Sequence, residues 1–198
     1  MKFWITLFVL ALLAMPQAMA GEVGGDDPRS SVDVDRSAAD QADRDLKNIK
    51  AWLSHFHKVP SRAELEQVSD DARDIVFKLA ADEESFLFHR QRAIRALAHW
   101  ADDEVRALFN EMLADEAIEE GLLFHIIPAL ANGFGEDAID DLVPYLRDHD
   151  NPHIRISAAR AIASIPGEEG QPVLAEALHD EEHPIVKKQL EDLSMILR

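Results

Sequence analysis

Apolar residues along this chain recur at steps of three and four, the spacing that places side chains on one face of a helix. Leu46, Ile49, Leu53 and Phe56 form the first such stripe and predict a helix ending near Val59 and Pro60. Ser61 and Glu64 follow, three apart, as a hydroxyl and a carboxylate do when they cap a helix start reciprocally. A second stripe, Ala72, Ile75, Val76 and Leu79, leads into the acidic loop Asp82-Glu83-Glu84.

From Ser85 onward the pattern repeats with a period of 32 to 33 residues. Ala96, Ala129, Ala161 and Leu193 share one column; Ala93, Ile126, Ala158 and Leu190 share another. His89, Leu122, Ile154 and Val186 make a third, so each unit opens with a helix whose buried positions are i, i+4 and i+7. A second helix follows in each unit, marked by Leu108 and Met112, Leu142 and Leu146, then Leu174 and Leu178. The expected architecture is all-α, a solenoid of about four helical hairpins.

The first residues read differently. Lys2, the apolar run over residues 3–15, Pro16 and then Ala18-Met19-Ala20 have the order of an export signal with its cleavage site. The run is shorter than the roughly 20 residues a membrane span needs. Without cysteine there is no lipid attachment of the bacterial lipoprotein kind and no disulfide. The expected organisation is a signal peptide at 1–20, a disordered acidic leader at 21–40 containing five aspartates, capping helices at 41–68 and a repeat domain at 69–198. The corresponding location is periplasmic or secreted, with the mature chain starting at Gly21.

Composition sharpens this picture. The 198 residues include 28 Ala and 22 Leu against one Thr, one Tyr and 11 Val, which favours helix over sheet. A net charge of −18 sets the surface against phosphate and anionic lipid, so neither nucleic acid nor, after signal cleavage, a membrane is an expected partner.

Asp150-Asn151-Pro152-His153-Ile154-Arg155-Ile156-Ser157-Ala158-Ala159-Arg160-Ala161-Ile162 resembles the acidic-x-Pro-x-Val-Arg-x-x-Ala-Ala-x-Ala-Leu signature of HEAT-like repeats, the short class also found in phycobilisome lyases. His183-Pro184-Ile185-Val186-Lys187 opens the following unit in the same way. The resemblance implies an α-solenoid and, for function, a non-catalytic scaffold or protein-interaction module. An accessory enzyme of the HEAT-like class is the alternative. Di-iron deoxyhypusine hydroxylases of that class carry His-Glu dipeptides; this chain has none, so their chemistry is not implied.

Several groups could carry chemistry. Arg90, Arg155 and Lys187 share a column, preceded by Glu84, Asp150 and Glu182, which suits a ladder of ion pairs with carboxylates of the same or the preceding unit; Arg90, Arg92 and Arg95 could alternatively hold an anion. His149 and His153, then His179 and His183, lie among carboxylates at the turns and are weak metal-ligand candidates, although solvated turn residues explain them as well. Gly133-Phe134-Gly135-Glu136-Asp137-Ala138 fits a dinucleotide fingerprint only formally, because its acids would repel a pyrophosphate. It reads instead as a helix end at Asn132 and Gly133 followed by acids that favour the next helix dipole. Pro128 should kink its helix near Phe124. No nucleophile elbow or phosphate loop occurs, so no catalytic residue and no cofactor is expected.

Second helices in HEAT-like solenoids usually line the concave surface. Asp103, Glu104, Glu111, Asp137, Asp140, Asp141 and Glu176 would then gather into an acidic trough, a candidate site for a basic segment of another exported protein.

Overall fold

The computed structural model describes residues 28–55 and 58–196. It divides after Ala38 into two units, the larger being Ala39–Arg198. Ten α-helices occur among the described residues and no strand: α1 (Pro28–Leu53), α2 (Arg62–Glu66), α3 (Ala72–Ala81), α4 (Leu87–Leu97), α5 (Asp103–Ala114), α6 (Glu120–Phe134), α7 (Ile139–Arg147), α8 (Pro152–Ser164), α9 (Gly170–Asp180) and α10 (Pro184–Ile196). Helices α4, α6, α8 and α10 are the first helices of successive units and stack on one another, while α5, α7 and α9 are the second helices. Among the described residues the pairs α4–α5, α6–α7 and α8–α9 follow one another along the chain, and α10 comes after them.

The periodic columns are the core. Ala93, Ile126, Ala158 and Leu190 are buried, as are Leu122, Ile154, Val186, Ala96, Ala129 and Ala161. Small alanine side chains on facing helices let the backbones approach closely, so the first helices form a tight row. On the second helices Met112, Leu142, Leu146 and Leu174 are buried, with Leu108 and Leu178 packed at the margin. The Ser61–Glu64 capping box forms as read: Ser61 N–H donates to Glu64 Oε2 at 2.8 Å, and the Ser61 Oγ accepts from the Glu64 N–H. Hydrogen bonds from the Lys58 ammonium and then from the Ser61 N–H and hydroxyl hold the Glu64 carboxyl down at about 2.

Four local expectations change. Helix α1 begins at Pro28, so residues 28–40 are helical where a disordered leader was expected. Proline is well suited to a first helical turn, and a helix anchored by Ile49 and Leu53 propagates backwards although residues 36–44 bury nothing. The signal segment and residues 21–27 of the leader lie outside the described residues.

Helix α1 also stops at Leu53, short of Val59, and Phe56 lies outside the described residues. Its terminal carbonyls are taken up by other groups: Ser54 Oγ donates to the Lys50 carbonyl at 2.7 Å, and Arg92 Nε donates to the Leu53 carbonyl at 3.0 Å.

Helix α6 continues past Asn132 and Gly133 to Phe134, where Gly135 ends it at φ 55°, a conformation that favours glycine. Gly133 is needed for another reason. A Cβ there would stand 3.1 Å from the Ala101 Cβ and 3.2 Å from the Ala98 carbonyl oxygen. Pro128 sits inside this helix without ending it.

The basic column does something other than pair with its own acids. Arg90 Nε donates to the Ala80 carbonyl near the end of α3, and Arg155 Nη1 donates to the His149 carbonyl beyond α7 at 2.7 Å. The carboxylate that Arg155 meets belongs to the following turn, Glu181, at 2.9 Å, with both side chains nearly buried. Tyr145 closes α5 similarly through the Leu113 carbonyl at 2.8 Å. Donors packed against the ends of α1, α3 and α5 and against the turn beyond α7 take up carbonyls there, which fixes the register between units.

Candidate interaction surface

The two rows of helices present chemically different faces. Along the second helices an arginine reaches from each unit to an acid of the next. Arg73 of α3 bonds Asp102 and Glu104 at 2.8 and 2.7 Å; Arg106 of α5 bonds Asp141 at 2.8 Å and the Asp137 carbonyl at 2.6 Å; Arg147 of α7 bonds Glu176. This ladder engages Glu104, Asp141 and Glu176 of the expected trough. Asp103, Glu111, Asp137 and Asp140 remain exposed. Arg73 extends the row backwards to α3.

Along the first helices lies a groove. One cavity of about 550 Å³ is lined by Val59, Arg95, Ala98, His99, Phe124, His125, Pro128, Ala129 and Asn132. A second, of about 320 Å³, shares Phe124, Pro128 and Asn132 and continues over Ile156, Ser157 and Arg160 of α8, with His153 at its rim. Among the described residues the lining contains no carboxylate, on a chain that carries 38 Asp and Glu. Phe124 is 40% exposed at the junction of the two cavities. Pro128 lies four residues on, so its ring leaves the Phe124 carbonyl without the usual helical donor.

Of the expected anion cluster only Arg95 is available here. Arg92 is buried, with its donors spent on the carbonyls of Leu53, His55 and Lys58, and Arg90 holds Ala80. Arg95 is exposed and makes no hydrogen bond or ion pair among the described residues. Burial first, then the charges of Arg95 and Arg92, push the His125 imidazole below its ordinary value.

Residues 122–194, from α6 through most of α10, match the family model for HEAT repeats. The protein contains HEAT repeats. The resemblance in residues 150–162 and 183–187 falls inside that match. No curated protein and no solved structure matches the chain.

The four histidines of the HEAT-repeat turns do not assemble. His149 Nδ1 accepts from the Asn151 N–H at 3.1 Å, and His153 is exposed at the groove rim. His179 is exposed near the end of α9, and His183 follows Glu181, whose Oε1 accepts its N–H at 2.8 Å. Among the described residues no group of three His, Asp or Glu is placed to hold a metal ion.

One serine meets a histidine, a pairing that the sequence did not suggest: Ser54 Oγ lies 3.0 Å from His89 Nε2. Its single proton is already donated to the Lys50 carbonyl, so the hydroxyl accepts from the imidazole, the reverse of what nucleophile activation requires. The contact fastens the end of α1 to α4. Glu136 and Glu169 share a hydrogen bond beside Gly167, which raises the Glu136 carboxyl above its ordinary value. A side chain at Gly167 would collide with both carboxyls, and its φ of 114° also favours glycine.

Proposed function

We propose that this HEAT-repeat protein is an exported, non-catalytic interaction module whose partner lies along the groove of the first helices. HEAT arrays present extended surfaces to other proteins. The observation that carries the choice of surface is Phe124, an aromatic ring left open where two cavities join. Exposed aromatics in a concave setting are the residues that anchor protein contacts. A photo-crosslinking residue at Asn132 or Ser157 should capture another exported protein, whereas the same residue at Glu111, on the opposite row, should not. Capture from Glu111 alone would move the interface to the second helices.

That other face supports a second reading, in which Asp103, Glu111 and Asp140 receive a basic segment. It is the weaker reading because the arginine ladder already engages Glu104, Asp141 and Glu176. Export rests on Lys2, the apolar run and Ala18-Met19-Ala20. Mass spectrometry of the native protein should find Gly21 as its first residue; recovery of peptides spanning the cleavage site would refute export with processing.

A further inference from the structure

The groove differs from the rest of the molecule in charge, and that difference selects its occupant. We propose that it binds an extended acidic segment of a partner protein, one that carries an aromatic or aliphatic residue among its carboxylates; this rests on the groove being the interaction surface. Arg95 stands at one end, exposed and without a partner among the described residues. Arg160 stands at the other, exposed, with one guanidinium nitrogen on Gln189 and the remaining donors open. Phe124 and Pro128 form the floor between them, and His99 and His125 form the wall beside Arg95.

Two separated cations with an apolar floor between them fit alternating carboxylates and a buried apolar side chain. Guanidinium forks bind carboxylates in pairs of parallel hydrogen bonds. Helices α4, α6 and α8 span about 20 Å at the usual spacing of about 10 Å between packed helices. About six extended residues cover that distance at roughly 3.4 Å each. His125 adds a hydrogen-bonding group that has no hydrogen-bond partner among the described residues.

The surrounding charge decides against a longer polyanion. With a net charge of −18 the protein repels nucleic acid over its whole length, whereas the two ends of a short segment inside the groove lie within about 8 Å of Arg95 or Arg160, the screening distance at physiological salt. An acidic peptide therefore meets the local positive wall more than the distant negative surface.

The test is a selection of random eight-residue peptides displayed on phage against the full mature chain, followed by solution affinities of the enriched peptides. Enriched sequences should be rich in Asp and Glu with at least one Phe, Leu or Trp. Arg95→Glu with Arg160→Glu should weaken their binding tenfold or more at an unchanged melting temperature, since neither arginine supports the core. Glu111→Gln with Asp140→Asn on the other row should leave affinity within twofold. Neutral or basic enriched peptides, no enrichment, or binding indifferent to the arginine reversals would overturn the acidic occupant. So would tighter binding of an eight-nucleotide DNA strand than of the selected peptides. Crosslinking from Asn132 or Ser157 is read separately: if it persists in the doubly reversed variant, the groove remains the interface and only the acidic partner falls.

Discussion

Arg92 is a buried arginine whose partners are all backbone, and replacing it with methionine isolates what those bonds contribute. Methionine keeps much of the apolar stem and removes the guanidinium. The arginine is 7% exposed and donates from Nε to Leu53 O at 3.0 Å and from Nη2 to His55 O at 2.7 Å, with Lys58 O as a third acceptor. Leu53 is fully buried, so its carbonyl loses its tertiary donor among the described residues in a place water reaches poorly, at a cost of about 1–3 kcal/mol. His55 and Lys58 are exposed; their carbonyls turn to water, and losing those bonds adds about 1 kcal/mol. Relief from burying the charge offsets part of the sum, since burial and the neighbouring Arg95 already disfavour the cation. The net expectation is a loss of about 2–3 kcal/mol. With a urea slope of about 2 kcal/mol per molar, the midpoint should fall by about 1–1.5 M. Hydrogen exchange should show the loss first in residues 45–53 of α1, while α8 and α10 keep their protection, because units of a repeat array contact only their neighbours. A midpoint within 0.3 M of wild type (on the order of 0.6 kcal/mol by the same slope), or uniform loss of protection, would refute the claim that Arg92 holds the end of α1.

Ala129→Leu should overpack the first-helix row and cost about 1–3 kcal/mol, because Ala129 is 2% exposed between α4 and α8; an unchanged melting temperature would place that column outside the core. Arg155→Met and Glu181→Gln should show a coupling of about 1–2 kcal/mol in a double-mutant cycle, with additive effects counting against the pair as an inter-unit clamp. Burial would raise the Glu181 carboxyl, but hydrogen bonds from Arg155 and the His183 N–H outweigh it and hold the group below its ordinary value. Its contribution is therefore present above the ordinary carboxylate range and is lost as pH falls through the lowered value. His89 and His125 are depressed mainly by burial, with Lys50 acting on the first and Arg95 and Arg92 on the second. For them the unfolded chain takes up protons first, so stability should be full above about 6.5 and fall below it; His89→Gln with His125→Gln should flatten urea midpoints between pH 7.5 and 5.5, and an unflattened slope would refute the assignment.

Much of the fold was legible in the sequence, because a helix converts spacing directly into facing. Columns 32 to 33 residues apart needed no tertiary information to identify Ile126, Ala158 and Leu190 as core, and the Ser61–Glu64 cap is local by nature. Helix ends were less legible. Where α1 stops depends on Arg92, 39 residues away from Leu53, and Gly133 is small because Ala98 and Ala101 approach it from another unit. The partners of the basic column were decided by the same kind of distance: Arg155 meets Glu181 across a whole hairpin, although Asp150 is nearer in sequence. The groove was the least visible of all. Arg95, Phe124 and Arg160 lie about a repeat apart on exposed positions, where burial imposes no periodic pattern, and only the stacking of α4, α6 and α8 brings them onto one surface. Local geometry writes the buried face of each helix into the sequence, but the chemistry of the exposed face is assembled by contacts between units.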